Sequence, residues 1–322
     1  MLLAQPLAGA QAADLRDSVQ HPSANTAART AVSSQLRAST EVAEVADGGS
    51  PLLSFATVGG AGAVAAISAA FVLGDPAKRR AEQTKAAGGN EKAAVQSYFN
   101  TQGFERWSKI YSESDEVSKV QKDIRDGHAQ TVDKVLALLD SSGGVKGISI
   151  CDAGCGTGSL AIPLALRGAA VSASDISQAM AGESRSRYEA ELAKGAAAPS
   201  TAPTFEASDL ESLKGQWDTV ACLDVLIHYD QNNVDGMIRH LASLADKQLI
   251  LSFAPKTLYY SALKRVGELF GGKNKATRAY LHAEADIEAA LNKAGFDVVH
   301  KDLTATSFYF SRLFQAKRKG GR

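Results

Sequence analysis

The sequence has few cysteines and no excess of charge of either sign. Its 322 residues contain three cysteines, Cys151, Cys155 and Cys222. They lack the number and the paired CxxC spacings of a disulfide framework or a structural zinc site, so we expect reduced, packed thiols. Lys plus Arg and Asp plus Glu number 35 each, so the formal net charge is zero. Because no overall positive field attracts a phosphate backbone, we expect no nucleic-acid partner.

The composition is that of an ordinary α/β domain with an appendage, since 45% of the residues are hydrophobic and 22% are charged. Residues 1–38 are rich in Ala, Ser and Thr, and Asp14 and Asp17 are their acidic residues. This composition is typical of an organellar transit peptide. A disordered extension without a targeting role is the alternative.

Residues 39–90 are expected to form a linker that contains an apolar segment. No charged residue occurs in residues 52–74, and Lys78, Arg79 and Arg80 follow soon after. The segment is long enough to cross a bilayer, and basic residues commonly flank such segments. Much of it is Ala and Gly, which contribute little transfer free energy, so attachment to a membrane surface or burial as a helix is the alternative.

The hydrophobic pattern changes period along the rest of the chain. Residues 91–140 show helical spacing and predict a helical arm of two or three helices. In residues 141–318, seven short apolar runs alternate with helical stretches, which predicts a Rossmann-like α/β domain with a mostly parallel seven-stranded sheet and helices on both faces. The last two runs are too close together for a helix between them, so we expect them to form a terminal antiparallel hairpin.

A glycine-rich turn follows the first of these runs. Asp152 precedes a G-x-G-x-G pattern formed by Gly154, Cys155, Gly156 and Gly158. Glycines at the carboxyl end of a parallel strand let the backbone approach a ligand closely. A dinucleotide fold would instead show G-x-G-x-x-G and place a diphosphate on the helix N-terminus. An acid at position 152 suits a cationic ligand, because a carboxylate attracts an amino group and repels a diphosphate.

Two further acids follow the second and third apolar runs. Asp175 is placed to accept the hydroxyls of a ribose, and Asp209 is placed to accept from an adenine amino group while Leu210 packs against the ring. Either acid alone also suits a helix N-cap. Further candidates on the cofactor side are Ile176, Met180 and Leu223.

These motifs resemble those of the class I S-adenosylmethionine-dependent methyltransferases. The segments YFNTQGFERWSKI, CDAGCGTGSLAIPLALRGA and CLDVLIHY are similar to the magnesium protoporphyrin IX O-methyltransferase family of chlorophyll biosynthesis. The resemblance implies transfer of a methyl group from S-adenosylmethionine to a propionate of the porphyrin, with an N-terminal helical lid over the site. It also implies a chloroplast location, a membrane surface and a contact with a magnesium chelatase subunit.

A propionate is already ionised at neutral pH, since its pKa resembles the value of about 4.3 for Glu. The protein must therefore orient and desolvate the carboxylate rather than deprotonate it. His228 follows the fourth apolar run and is a candidate to bind the propionate or take up a proton, because a pKa near 6.5 suits proton handling. Tyr111 is a second catalytic candidate, with a core aromatic role as the alternative. Further candidates for the substrate side are Tyr98 and Tyr229.

Residues 256–282 are a candidate substrate-recognition insert. Aromatic and aliphatic residues alternate there with basic ones, which suits a flat apolar macrocycle with anionic propionates. Arg265 and Arg278 are the candidates to pair with a carboxylate. An amphipathic helix facing solvent or lipid is the alternative.

The sequence contains no His, Cys and Asp cluster that predicts a metal bound by the protein, so the magnesium would belong to the substrate. Two other functions remain open. The first is a methyltransferase acting on another plastid small molecule, such as a quinone. The second is a non-catalytic protein that binds S-adenosylmethionine and serves a pathway partner.

Overall fold

Seven strands form one sheet in the order β3-β2-β1-β4-β5-β7-β6. The computed structural model describes residues 91–112, 117–257, 260 and 280–320. Strands β1 to β5 pair in parallel, whereas β7 is antiparallel to both β5 and β6. The predicted sheet and its terminal hairpin are confirmed. The strands are β1 Ser149–Ala153, β2 Ala170–Asp175, β3 Thr204–Ala207, β4 Trp217–Cys222, β5 Ala245–Phe253, β6 Phe296–Ala305 and β7 Phe310–Arg318.

Seven α-helices surround the sheet within these ranges. The third begins with a capping box, in which Ser118 and Gln121 each bond the other's backbone N–H, so these two amides at the start of the long helix are satisfied. The helices are α1 Glu91–Asn100, α2 Gln102–Ile110, α3 Lys119–Ser141, α4 Ala161–Leu166, α5 Gln178–Ala193, α6 Gln231–Leu244 and α7 Glu284–Lys293.

The core lies on both faces of the sheet. Successive side chains of a strand point to opposite faces, and Ile250 of β5 packs with α3 and α4 while its neighbours Leu249 and Leu251 pack with α6 and α7. Burial on two sides explains why the central strands are continuous apolar runs rather than alternating ones.

The strand order creates a switch point between β1 and β4. The chain runs outward from β1 through β2 to β3, and then returns to β4 on the other side of β1. Adjacent connections therefore leave on opposite faces and open a crevice beyond the carboxyl ends of these strands, which is where open α/β sheets bind ligands.

Three sequence-based predictions fall on residues that the structure does not describe. They are the transit peptide in residues 1–38, the apolar segment in residues 52–74 with its linker, and most of the insert in residues 256–282, including Arg265 and Arg278. Among the residues that are described, no helix combines the length and the apolar character that crossing a bilayer requires.

Candidate active site

The glycine-rich turn crosses the carboxyl end of β1. The amides of Gly154 and Cys155 both donate to the carbonyl of Ser174 in β2, at 2.8 and 2.9 Å. Gly154 has a φ of 89°, and a side chain there would overlap Val225. Gly156 has a φ of 52° and open space where a side chain would stand. The turn therefore presents bare backbone to the crevice, as close approach of a ligand requires.

Asp175 connects this turn to the end of β2. Its carboxylate accepts from the amide of Gly156 at 3.0 Å and from the amide of Ser177 at 2.9 Å. Burial raises the pKa of Asp175 despite these bonds. A partly buried carboxylate therefore lies beside the open glycine, where the sequence predicted the ribose hydroxyls.

Asp152 is the most buried acid of the turn, with a relative exposure of 2%. Burial, followed by repulsion from Asp175, raises its pKa to about 7. Among the described residues its Oδ2 atom has no hydrogen-bond partner, and neither has the hydroxyl of Thr157 in the same turn. Buried polar atoms are nearly always paired, so these two atoms mark a place for a polar ligand, and the carboxylate favours a cationic one.

Asp209 differs in detail from its predicted position, because β3 ends at Ala207 and Asp209 caps the short 3-10 helix Leu210–Ser212. Its carboxylate also forms an ion pair with Lys92 of α1, and Lys92 in turn reaches Glu211 at 2.9 Å. Asp209 is therefore an N-cap, which was the alternative prediction, and its ion pair with Lys92 was not predicted. Leu210 is buried at 4% exposure.

The arm helix α1 lies along the predicted cofactor side. Gln96 donates to the carbonyl of Ile176 at 3.1 Å, and the side chain of Asn100 accepts from the amide of Ala179 at 3.3 Å. Met180 and Leu223 are buried there at 3 and 6% exposure. The contacts hold the arm against the residues that follow β2.

His228 ends the 3-10 helix Leu226–His228, just beyond β4. Its ring packs edge-on against Phe99 at 5.5 Å, and its Nδ1 atom has no partner among the described residues. Burial lowers the pKa of His228 to about 4. The expectation of a pKa near 6.5 is therefore wrong, because an imidazolium would be poorly solvated there, and the ring is neutral at neutral pH.

Tyr111 follows α2, and its ring lies between those of Trp107 at 5.5 Å and His128 at 4.8 Å. Burial, and then the charge of Asp224, raises the pKa of its hydroxyl far above the ordinary value. Tyr111 thus remains a protonated hydrogen-bond donor.

A cavity of about 420 Å³ opens between α3 and the start of α4. Its walls combine apolar side chains with charged ones, and Tyr111 belongs to them, whereas His228 does not. Tyr98 instead packs against Gly103 and Phe99, and Tyr229 packs against the core beneath α6. The cavity is lined by Tyr111, Arg125, His128, Ala129, Val132, Asp133, Leu136, Ser159, Pro163 and Arg167.

Comparisons with known proteins agree with this geometry. A general methyltransferase domain profile matches residues 150–248, and the profile described as "Magnesium-protoporphyrin IX methyltransferase C-terminus" matches residues 222–318. The chloroplastic magnesium protoporphyrin IX methyltransferase of Arabidopsis thaliana is 56% identical over 293 residues, which is 90% of this chain and 92% of that protein. The chain belongs to the magnesium protoporphyrin IX methyltransferase family.

Two crystal structures of the family enzyme from Synechocystis PCC 6803 extend the comparison to the fold. The complex with S-adenosylhomocysteine has a TM-score of 0.64 and 52% identity, and covers 70% of this chain and 98% of the other. The complex with S-adenosylmethionine has a TM-score of 0.62 and 47% identity, with coverage of 71% and 98%. The predicted class I methyltransferase fold and the family resemblance are confirmed.

In this protein, two residues that the structure brings together at the cavity were not singled out by sequence reasoning. Asp224, one residue beyond Leu223, accepts from His128 Nδ1 at 2.8 Å, and His128 lies on α3 in the cavity wall. Asp224 stands two residues after the end of a buried strand, and this position was a usable signal. No signal pointed to His128, because 96 positions separate it from its partner.

Within the described residues, no group of three or more His, Cys, Asp or Glu side chains is arranged to hold a metal ion. The three cysteines are buried and free. Burial, with a contribution from Asp152, raises the pKa of Cys151 to about 12, so this thiol is not a nucleophile at neutral pH.

Proposed function

We propose that this protein transfers the methyl group of S-adenosylmethionine to a propionate carboxylate of magnesium protoporphyrin IX, giving the monomethyl ester and S-adenosylhomocysteine. The observation that carries the proposal is the buried Oδ2 atom of Asp152 at the switch point, which has no hydrogen-bond partner among the described residues. Support for the acceptor comes from relatives at 56 and 52% identity that are named for this porphyrin.

The residues of the crevice fit the cofactor. S-adenosylmethionine supplies an electrophilic methyl group on a sulfonium, and it carries an ammonium group. Asp152 would accept from that ammonium group, which relieves its repulsion with Asp175. Asp175 would hold the ribose and Asp209 the adenine, after Lys92 yields or shares its ion pair.

Residues on the acceptor side would bind and orient the propionate and would not need to deprotonate it. A propionate is ionised at neutral pH, so it needs no general base. His228 and Tyr111 are both uncharged there, because burial lowers the pKa of the first and raises that of the second. Neutral donors can hold one carboxylate oxygen without removing the negative charge from the other, and burial strips water from the attacking oxygen.

The substrate and location form the rest of the proposal. Tyr98, Tyr229, Arg265 and Arg278 remain candidates to contact the macrocycle, the last two within the insert of residues 256–282. The transit peptide would direct the chain to the chloroplast, as the name of the Arabidopsis relative supports. Residues 52–74 would attach it to envelope or thylakoid membranes, where a magnesium chelatase subunit would deliver the substrate.

Product analysis separates this proposal from its rivals. The full chain is incubated with S-adenosylmethionine and either magnesium protoporphyrin IX or a plastid quinone, and the products are separated by chromatography. We expect a porphyrin monomethyl ester and no methylated quinone. Methylated quinone alone would favour the first rival, and cofactor binding without any product would favour the non-catalytic one.

A further inference from the structure

The carboxylate of Asp224 is bonded by side chains from four parts of the fold. Oδ2 accepts from His128 at 2.8 Å and from the Tyr309 hydroxyl at 2.6 Å. Oδ1 accepts from Ser252 of β5 at 2.8 Å and from Ser311 of β7 at 3.0 Å. Each carboxylate oxygen thus accepts two side-chain hydrogen bonds, which is the arrangement of an acceptor-only, ionised carboxylate.

The backbone at Asp224 is held in a conformation that this residue rarely adopts. Its φ of 58° is the only positive value at a non-glycine position among the described residues. Such a conformation persists where surrounding contacts fix it. The Asp224 amide donates to the Ser252 hydroxyl at 2.8 Å, which is one such contact. In this backbone conformation the Asp224 carboxylate lies within hydrogen-bond distance of His128 on α3.

The position of His128 is fixed from two sides. The preceding residue, Gly127, lies against the ring of Tyr309, and a side chain at Gly127 would overlap that ring. Helix α3 can therefore approach the β6–β7 hairpin closely. The Tyr111 ring lies 4.8 Å from the imidazole on the cavity side. Packing and the Asp224 bond together determine the plane of the imidazole.

The hydrogen bond to Asp224 determines what His128 can offer a ligand. An ionised carboxylate accepts the Nδ1 proton, so in the neutral ring Nε2 carries the lone pair. A histidine whose other nitrogen donates to a carboxylate is the usual arrangement of a histidine that ligates a metal, because the carboxylate fixes the tautomer and raises the basicity of the ligand. No metal-binding cluster is needed, since a porphyrin supplies four nitrogens to its own metal and leaves an axial position open.

The cavity suits such a ligand in the rest of its wall. Val132 and Leu136 of α3 and Pro163 of α4 give it an apolar surface for a flat ring, and Arg125 and Arg167 bring positive charge to the same wall. Asp133 adds one acid. An apolar wall with a few charged groups is the common form of a small-molecule site.

We propose that Nε2 of His128, oriented by Asp224, is the axial ligand of the magnesium in the porphyrin substrate. The inference rests on the proposed function, because it takes the magnesium porphyrin as the acceptor. It makes His128 a specificity residue that distinguishes the metallated macrocycle from the metal-free one, and Asp224 a positioning residue.

The test compares the affinities of the protein for two porphyrins. The full chain, saturated with S-adenosylhomocysteine, is titrated with magnesium protoporphyrin IX and with metal-free protoporphyrin IX, and absorption and fluorescence give both affinities. The variants are His128→Asn, whose amide can still reach Asp224, and Asp224→Asn. Asp123→Asn is the control, because Asp123 also joins α3 to the hairpin, through Thr306 at 2.6 Å and Phe308 at 2.7 Å, but lies outside the cavity wall.

We expect both site variants to lose affinity for the magnesium porphyrin by roughly tenfold or more, as removal of a ligand or its orienting carboxylate does at metal sites. Affinity for the metal-free porphyrin and for S-adenosylhomocysteine should stay within about twofold, since neither ligand uses the lone pair of His128. The control should bind both porphyrins as the wild type does. Equal losses for both porphyrins, or no loss, would overturn the inference.

A measurement on the wild type guards against misfolded variants. The absorption spectrum of bound magnesium protoporphyrin IX should match that of the same porphyrin with imidazole in solution, and a match to the water-ligated form would refute axial ligation. If the wild type methylates the porphyrin but shows no such spectrum, the inference fails and the proposed function stands. If it neither binds nor methylates the porphyrin, the proposed function fails first.

Discussion

Replacement of Asp152 by Asn should stabilise the cofactor-free protein while it abolishes cofactor binding. Asp152 is 2% exposed, and burial followed by repulsion from Asp175 outweighs the charge of His128 and the bond from the Ala161 amide, so its pKa is raised from 3.8 to about 7. A carboxyl with a raised pKa holds its proton in the folded state over a range where the unfolded chain has lost it. The contribution of Asp152 to folding stability therefore falls as pH rises from about 4 to about 7, and this contribution is constant above that.

The size of the effect follows from the same pKa values. The folded and unfolded pKa values differ by about 3 units, and each unit corresponds to about 1.4 kcal/mol. Ionised Asp152 therefore destabilises the folded protein by about 4 kcal/mol above neutral pH. At about pH 5.5 roughly half of this is already present, so the Asp152→Asn variant should gain a further 2 kcal/mol or so over the wild type between about pH 5.5 and about pH 8.5.

Urea unfolding of both proteins without cofactor, at these two pH values, measures the effect. A second series with S-adenosylhomocysteine should raise the midpoint of the wild type and leave that of the variant unchanged, since the ligand loses its ammonium partner. Asp123→Asn is a control that should have the opposite effect on stability. Bonds from Thr306 and Phe308 outweigh burial and lower the pKa of Asp123, so its carboxylate stabilises the folded protein at both pH values. If the difference in free energy of unfolding between wild type and the Asp152 variant is independent of pH, the raised pKa of Asp152 is refuted.

Three further substitutions address separate parts of the site. Asp175→Ala should weaken cofactor affinity severely, by calorimetry, while circular dichroism stays native; unchanged affinity would show that the end of β2 does not bind the ribose. His228→Ala should lower turnover more than cofactor affinity, and equal losses in both would remove it from the acceptor side. Gly154→Ala should cost roughly 1 to 3 kcal/mol of stability and most cofactor binding, because its φ of 89° and the overlap with Val225 both oppose a side chain; a native melting curve with native affinity would contradict the tight turn.

Local pattern was enough to predict the strands. The apolar runs ending at Ala153, Cys222 and Phe253 are buried on both faces, so they differ clearly from the amphipathic helices between them. The hairpin followed from the short distance between the last two runs. Strand order depends on contacts between distant segments, so the local pattern did not predict it.

The two sides of the site differed in how far sequence could describe them. The proposed cofactor side consists of short segments at the ends of strands, so Asp152 and Asp175 could be placed from position alone. The acceptor side depends on helix packing and on burial. Burial lowers the pKa of His228, so its ring is neutral. The approach of α3 to the hairpin brings His128 to Asp224. Neither property is encoded by residues that are close together in the chain.

The central claim is the transfer of one methyl group to the porphyrin carboxylate. The full chain, supplied with S-adenosylmethionine labelled in its methyl group and with magnesium protoporphyrin IX, should give a porphyrin that carries one labelled ester and an equal amount of S-adenosylhomocysteine, by mass spectrometry. A porphyrin without label, while the chain binds S-adenosylmethionine, would contradict the account.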